Sequence, residues 1–188
     1  MEWFRRQTPG REPQHASSGA TGTAVRPKRT RLERVTFARR PTPPGMSKHA
    51  EFLRGERVDD VLFFLHEDAV SNPEALADYA DDVDDGQVLV LPGDQGRSAF
   101  QSATGIDPMG LAQAAMGTDG DVHDDLTDAN CPVAEEEPDE NHTTKFVFAF
   151  AEAQNEEVGG IYAEGDVIHA YAVCTCGERY SDKWVVEG

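Results

Sequence analysis

Three features of the sequence predict an α+β fold. Two largely apolar runs, residues 61–65 and 87–91, have the length and composition of buried strands. Around them lie capped amphipathic stretches with helical spacing. The last third then changes to period-two alternation interrupted by glycine turns. The expected architecture is a set of short helices plus a βαβ-like unit, followed by a four-strand antiparallel C-terminal meander.

Taken in order, Ser47 can cap a short helix that buries Phe52 and Leu53 and stops near Gly55. Residues 61–65 read as a central strand. Asn72 and Pro73 open a second helix, in which Leu76, Tyr79, Ala80 and Val83 fall on one face. Asp85-Gly86 turns the chain into the strand over 87–91. Strand, helix and strand in that order predict a right-handed parallel crossover. A glycine-rich loop over 92–98 leads into a short helix carrying Ala99, Phe100 and Ala103, ended by Gly105. Asp107 caps a further helix, predicted to bury Met109, Leu111, Ala112, Ala115 and Met116. Residues 118–143 are rich in acids and poor in apolar groups, so a long solvated loop is expected. Strands are then predicted at 146–151, 161–163, 167–174 and 179–186.

The charge divides the chain. Residues 1–45 hold ten basic and three acidic side chains, a net of +7. Residues 46–188 hold seven basic and thirty-two acidic ones, a net of −25. An acidic body of this kind repels itself unless salt screens it, and the screening length falls from ~8 Å at physiological ionic strength to ~3 Å at 1 M. The expectation is a halophilic cytoplasmic protein whose single domain spans 46–188. Seven scattered bases after residue 45 exclude nucleic acid as a partner of that domain. The longest apolar run is far short of the ~20 residues of a membrane span, so no membrane partner is expected. Arg5-Arg6 has no apolar stretch behind it, which argues against export. Composition changes abruptly at Met46. Residues 1–45 are therefore expected to be a disordered basic extension, or a stretch upstream of the true start.

A resemblance rests on particular segments: Phe52-Leu-Arg-Gly-Glu56, Gly93-Asp-Gln-Gly-Arg97, Phe146-Val-Phe-Ala-Phe-Ala-Glu152, Gly160-Ile-Tyr-Ala-Glu-Gly-Asp166, His169-Ala-Tyr-Ala172, Cys174-Thr-Cys-Gly177 and Tyr180-Ser-Asp-Lys-Trp184. With these, residues 46–188 resemble an uncharacterised family of small acidic haloarchaeal proteins, classed as a domain of unknown function. The resemblance implies a haloarchaeal cytosolic origin and a start at Met46. It implies no activity.

Cys174-Thr-Cys176-Gly177 is the most specific chemical motif. Residues two apart in a strand share a face, so the two thiolates could chelate one soft ion, and Gly177 permits a sharp turn. A structural zinc needs four ligands. Cys131 is the candidate third, with His142 or His123 as the fourth. The plainer reading is a pair of small buried thiols acting as hydrophobes. Three cysteines exclude a dense disulfide framework. Gly93, Gly96, Arg97 and Ser98 lie between a strand and a helix N-terminus, where backbone N–H groups could hold an anion or nucleotide. The P-loop spacing and lysine are missing, and Asp94 opposes a phosphate. His169 and Tyr171 share a strand face near Glu164 and Asp166, types that can do acid–base work or be structural. The acidic runs lack the ligand spacing of a calcium loop. The preferred function is a non-catalytic domain acting through an unknown protein partner, with a zinc-stabilised hairpin. The alternative is a small enzyme or anion-binding protein using residues 93–98.

Overall fold

The computed structural model describes residues 47–70, 76 and 78–186. The basic extension expected over 1–45, and residues 72–75 and 77 of the helix expected after Asn72, lie outside the described residues. The elements are α1 (Lys48–Leu53), β1 (Asp60–His66), β2 (Asp81–Val83), β3 (Gly86–Pro92), α2 (Gly93–Thr104), α3 (Pro108–Ala115), β4 (Asp121–Val122), β5 (Ala129–Asn130), β6 (Thr144–Glu152), α4 (Ile161–Glu164), β7 (Val167–Cys174) and β8 (Arg179–Val185). Six strands make one sheet in the order β2-β3-β1-β6-β7-β8, every neighbouring pair antiparallel, and β4 pairs with β5 as a separate hairpin.

The sheet is covered on both faces, which is why β1 and β3 read as continuous apolar runs. On one face Val61, Phe63, Leu65, Leu89, Phe146, Phe148 and Val173 pack beneath Phe100 of α2 and Leu111, Ala112 and Ala115 of α3. Phe100 is wholly buried, with its ring 5.7 Å from Phe63, 6.2 Å from Phe146 and 5.2 Å from Phe148. On the other face Leu62, Phe64, Val88, Val147, Ala149, Ile168, Ala170, Ala172 and Cys174 pack beneath Phe52 of α1 and Val122, Leu126, Ala129 and Cys131 of the β4–β5 region.

Several local expectations are met. The Ser47 hydroxyl accepts the Ala50 N–H at 3.1 Å, and Asp107 accepts the Gly110 N–H at 2.7 Å. Gly105 ends α2 with φ 73°, its N–H bonded to the Gln101 carbonyl at 2.8 Å.

Others are corrected. β1 and β3 are direct antiparallel neighbours, so the parallel crossover is absent. Burial on both faces, not parallel pairing, made their sequences continuous. The stretch ahead of β3 is not one helix through Val83. The Tyr79 and Ala80 N–H groups both bond the Leu76 carbonyl, and Asp81–Val83 is a strand, with Asp85 at φ 62° forming the tight link into β3. Tyr79 is 70% exposed, and Met109 and Met116 of the α3 region also face outward. Residues 161–163 are helical, following Gly159 and Gly160 at positive φ, so the C-terminal meander has three strands, β6-β7-β8.

The stretch expected as a solvated loop over 118–143 is divided. Its first half carries the β4–β5 hairpin and drives Val122 and Leu126 into the core. Leu126 adopts φ 60°, a left-handed conformation costing about 1–2 kcal/mol. Its complete burial offsets that by about 1.5–3 kcal/mol. This fixes the path by which the chain reaches Cys131.

Candidate metal centre

β7 ends at Cys174, whose side chain shares a face with Ala172 and, across the ladder, Tyr180. The link from β7 to β8 is tight. Cys174 donates its N–H to the Glu178 carbonyl at 2.9 Å, and Gly177 donates to the Cys174 carbonyl at 3.0 Å. Gly177 takes φ 99°, a conformation open to glycine at little cost. The turn brings Cys176 back to the side occupied by Cys174.

Cys131 comes from the other direction. Thr144 is a buried polar residue at the start of β6, and its hydroxyl lies 2.7 Å from Asp128 Oδ1 while accepting the Ala129 N–H at 2.9 Å. That knot ties the exit of the β4–β5 hairpin to the sheet. Cys131-Pro132 then turns, with the Ala134 N–H on the Cys131 carbonyl at 3.2 Å. Burial pushes the Cys131 thiol up to about 12, although the Val133 backbone N–H aimed at the sulfur pulls the other way.

His142 is held between two threonine-mediated clamps. Thr175, between the two cysteines, donates its hydroxyl to the Asn141 carbonyl at 2.5 Å and accepts the Thr143 N–H at 3.0 Å. The Thr175 N–H bonds the Thr143 carbonyl at 2.9 Å. Backbone on both sides of His142 is thereby fixed to the Cys-x-Cys turn. The imidazole Nε2 lies 2.8 Å from the Glu137 carbonyl. A carbonyl only accepts, so Nε2 carries the proton and Nδ1 keeps its lone pair. The His142 pKa is raised, chiefly by this hydrogen bond to Glu137.

That Nδ1 lies 3.8 Å from Cys174 Sγ, and Cys131 Sγ lies 3.8 Å from Cys176 Sγ. The four donor atoms of Cys131, His142, Cys174 and Cys176 are all within 4.8 Å of one another, close enough to hold a metal ion. Among the described residues this is the one convergence of three or more His, Cys, Asp or Glu side chains on a common point. A cleft of about 490 Å³ bounded by Asn130, Cys131, Glu135 and His142 leads to it from solvent. Tyr180 is wholly buried in the same core cluster, and its hydroxyl has no hydrogen-bond partner. His123, the other histidine considered as a ligand, lies elsewhere, 3.3 Å from the Asn130 amide.

The other sequence candidates resolve differently. Gly93, Gly96, Arg97 and Ser98 belong to the first turns of α2 and not to a loop. A Cβ at Gly96 would come within 2.1 Å of Val61 Cγ2, so this glycine lets the helix lie close on the sheet. The Gly93 N–H is bonded to the Asp59 carbonyl, and Arg97 is paired with Asp94 at 2.6 Å. The charge expected to serve an anion is already met by a neighbour.

His169 and Tyr171 do share a face, and line a cavity of about 550 Å³ with Tyr162, Ser181 and Lys183. The acid beside His169 is Glu152, at 3.1 Å, and neither Glu164 nor Asp166. Asp166 instead accepts the Gln154 N–H at 2.8 Å. The His169 ring stacks on Phe150 at 4.9 Å, and burial lowers its pKa despite Glu152. Glu152 was not singled out in the sequence because its approach depends on the β6–β7 register, which pairs Phe150 with His169. Thr175 gave a weaker signal: a hydroxyl placed between two candidate ligands.

The sequence profile of a family of unknown function, DUF5807, matches residues 80–187, and the chain belongs to that family. The matched region contains all four converging side chains. No curated protein and no solved structure shows a significant match to the chain. No helix among the described residues is long and apolar enough to cross a membrane.

Proposed function

We propose that this member of the DUF5807 family is a zinc-stapled, non-catalytic interaction domain working in a salt-rich cytoplasm. The convergence of Cys131, His142, Cys174 and Cys176 carries the reading. A tetrahedral zinc with Zn–S of ~2.3 Å and Zn–N of ~2.0–2.1 Å needs sulfurs about 3.8 Å apart and a sulfur–nitrogen separation of about 3.6 Å. The sulfur pair at 3.8 Å and the sulfur–nitrogen pair at 3.8 Å therefore need little movement to close on an ion.

The chemistry of the donors favours the same ion. Thiolates and imidazole suit zinc and disfavour magnesium and calcium. The Glu137 carbonyl on Nε2 is the outer-shell contact that a ligating histidine ordinarily has. Four protein ligands leave no open position, which suits a structural ion and not a catalytic one. All three cysteines are free thiols, in keeping with a reducing compartment.

The ion would join two parts of the chain, the Cys-x-Cys turn after β7 and the segment 131–142 between β5 and β6. Its role is to hold that acidic segment, which carries Glu135, Glu136, Glu137, Asp139 and Glu140, in one shape on the surface offered to a protein partner. The net charge of −25 over residues 46–188 supports a setting of high salt.

Metal analysis of protein purified in molar salt without chelator tests the reading. One zinc per chain is expected, and it should be lost from the double variant Cys174→Ser/Cys176→Ser. Cobalt should replace it with the visible spectrum of a tetrahedral thiolate site. Wild-type protein that takes up neither ion from solution would overturn the assignment.

A further inference from the structure

A second concave site lies on the sheet face that packs beneath α2 and α3, opposite the face that carries Cys174. Tyr171 and His169 of β7 stand directly across from Ser181 and Lys183 of β8, so the four side chains share that face. They line the cavity of about 550 Å³, whose wall also includes Tyr162 of α4, Met116 and Asp119. Backbone bonds hold Asp119 in place. Its neighbours bracket Ser181, with the Ser181 N–H on the Thr118 carbonyl at 3.0 Å and the Gly120 N–H on the Ser181 carbonyl at 3.0 Å.

The cavity gathers polar groups that the fold leaves unused. Tyr171 is 2% exposed, yet among the described residues its hydroxyl has no hydrogen-bond partner. Buried polar groups are nearly always paired, so this one calls for a partner from within the cavity it lines. Burial holds its pKa up, and it stays a donor. Ser181 uses its backbone groups on the neighbouring segment, and its hydroxyl has no partner among the described residues. The Lys183 ammonium lies 5.8 Å from the centre of the Tyr162 ring and pairs with no carboxylate among the described residues. Asp119 is likewise unpaired among them. The other acids nearby are engaged. Asp182 accepts the Val122 N–H at 3.2 Å and the Lys183 N–H at 2.7 Å, and Glu152 lies 3.1 Å from His169 Nε2.

The apolar part of the site is a row of rings. Tyr162, His169, Phe150 and Tyr171 follow one another with centres 5.9, 4.9 and 6.1 Å apart, and neighbouring planes differ by 27°, 16° and 28°. Met116 is 63% exposed and lines the same cavity, and a thioether suits an aromatic guest. Two hydroxyls and an ammonium suit a carboxylate, a free carboxylate suits an ammonium, and rings beside a thioether suit an apolar side chain.

We propose that this cavity binds a free α-amino acid with a large apolar side chain, an aromatic one above all. Lys183 and the Tyr171 and Ser181 hydroxyls take its carboxylate, Asp119 takes its ammonium, and Met116 and Tyr162 take its side chain. The volume falls within the ~300–1,000 Å³ usual for small-molecule sites. The site shares no residue with the metal centre and stands whether or not that centre holds an ion.

The test is an amide chemical-shift titration of the full chain in molar potassium chloride, with L-phenylalanine as the probe. The Gly120, Ser181 and Lys183 signals should move and saturate at millimolar probe, while those of Phe52 and Val88, on the other face, stay still. 3-Phenylpropanoate lacks the ammonium and 2-phenylethylamine lacks the carboxylate. Each should bind at least about 10-fold more weakly, the effect of losing one charged, hydrogen-bonded contact. Glycine, without a side chain, should not saturate over the same range. Lys183→Met and Asp119→Asn alter exposed side chains and leave the fold intact. The first should weaken L-phenylalanine about 10-fold, and the second should remove its advantage over 3-phenylpropanoate. Tyr171→Phe should weaken binding by a similar factor with an unchanged or higher melting temperature, which loss of a packing residue would not give. The inference is overturned by wild type that shows no localised shift with L-phenylalanine, by equal binding of 3-phenylpropanoate, or by affinity that neither exposed variant changes.

Discussion

Removal of one ligand should uncouple the two halves of the staple, and the size of the effect can be worked out from the chain path. The perturbation is Cys176→Ser, at the half-buried cysteine of the cluster. An ion held by both Cys131 and Cys176 closes a loop of 46 residues. Applied to a loop of that length, the chain-entropy relation for a cross-link gives about 13–14 cal/mol/K, or about 4 kcal/mol at 25 °C. Linkage gives a similar figure from the other direction: free zinc at a thousand times its Kd stabilises the folded form by about 4.1 kcal/mol. A domain of this size responds by roughly 3–4 °C per kcal/mol. Wild type should therefore melt roughly 12–16 °C higher with zinc than with chelator. Cys176→Ser should lose most of that difference while its metal-free melting point stays within about 2 °C of wild type, since a small thiol-to-hydroxyl change at a half-buried site leaves no large cavity. The assay is differential scanning calorimetry in molar potassium chloride with zinc or with excess chelator. Identical wild-type melting curves in the two buffers would refute the reasoning, because a cross-link that restricts the unfolded chain cannot leave stability unchanged.

Other outcomes follow from the same structure. Raising potassium chloride from ~0.1 M, where charges interact over ~10 Å, to 1 M should raise the melting temperature steadily, and equal stability in dilute buffer would remove salt screening as the reason for the charge. Gly96→Ala should shift the denaturant midpoint by the equivalent of about 1–3 kcal/mol, because its Cβ would overlap Val61, whereas Arg97→Ala, which breaks an exposed pair with Asp94, should cost under about 1 kcal/mol. His169 has a pKa held below its unfolded value of ~6.5 by burial, so the unfolded chain binds the proton more readily. The contribution is then fully present above pH ~6.5 and is lost as pH falls toward the folded-state value. Chemical denaturation of wild type and His169→Asn across that window should show a steeper loss in wild type, and parallel curves would contradict the assignment.

The candidate metal ligands were legible in the sequence because their chemistry is rare in it. Three cysteines in 188 residues, two of them in Cys-Thr-Cys-Gly, leave few ways to complete a soft-metal site. Which histidine completes it was not legible. His123 and His142 flank the same acidic stretch, and only the Thr175 clamp and the Glu137 carbonyl place His142 with its Nδ1 toward Cys174.

By itself the sequence determined the acid-rich character of the chain, the strands at β1, β3, β6, β7 and β8, the caps at Ser47 and Asp107, and the pairing of chemistry at 174 and 176. These are local properties, set by charge density, by apolar periodicity and by side chains bonding their own backbone. The tertiary structure decided that β1 and β3 lie side by side antiparallel, that Leu126 belongs to the core, that residues 93–98 pack as helix against Val61, and that His169 answers to Glu152. Each of those depends on strand register or on what covers a face. Contacts between residues far apart in the chain are fixed only when the whole sheet closes its two apolar sides at once.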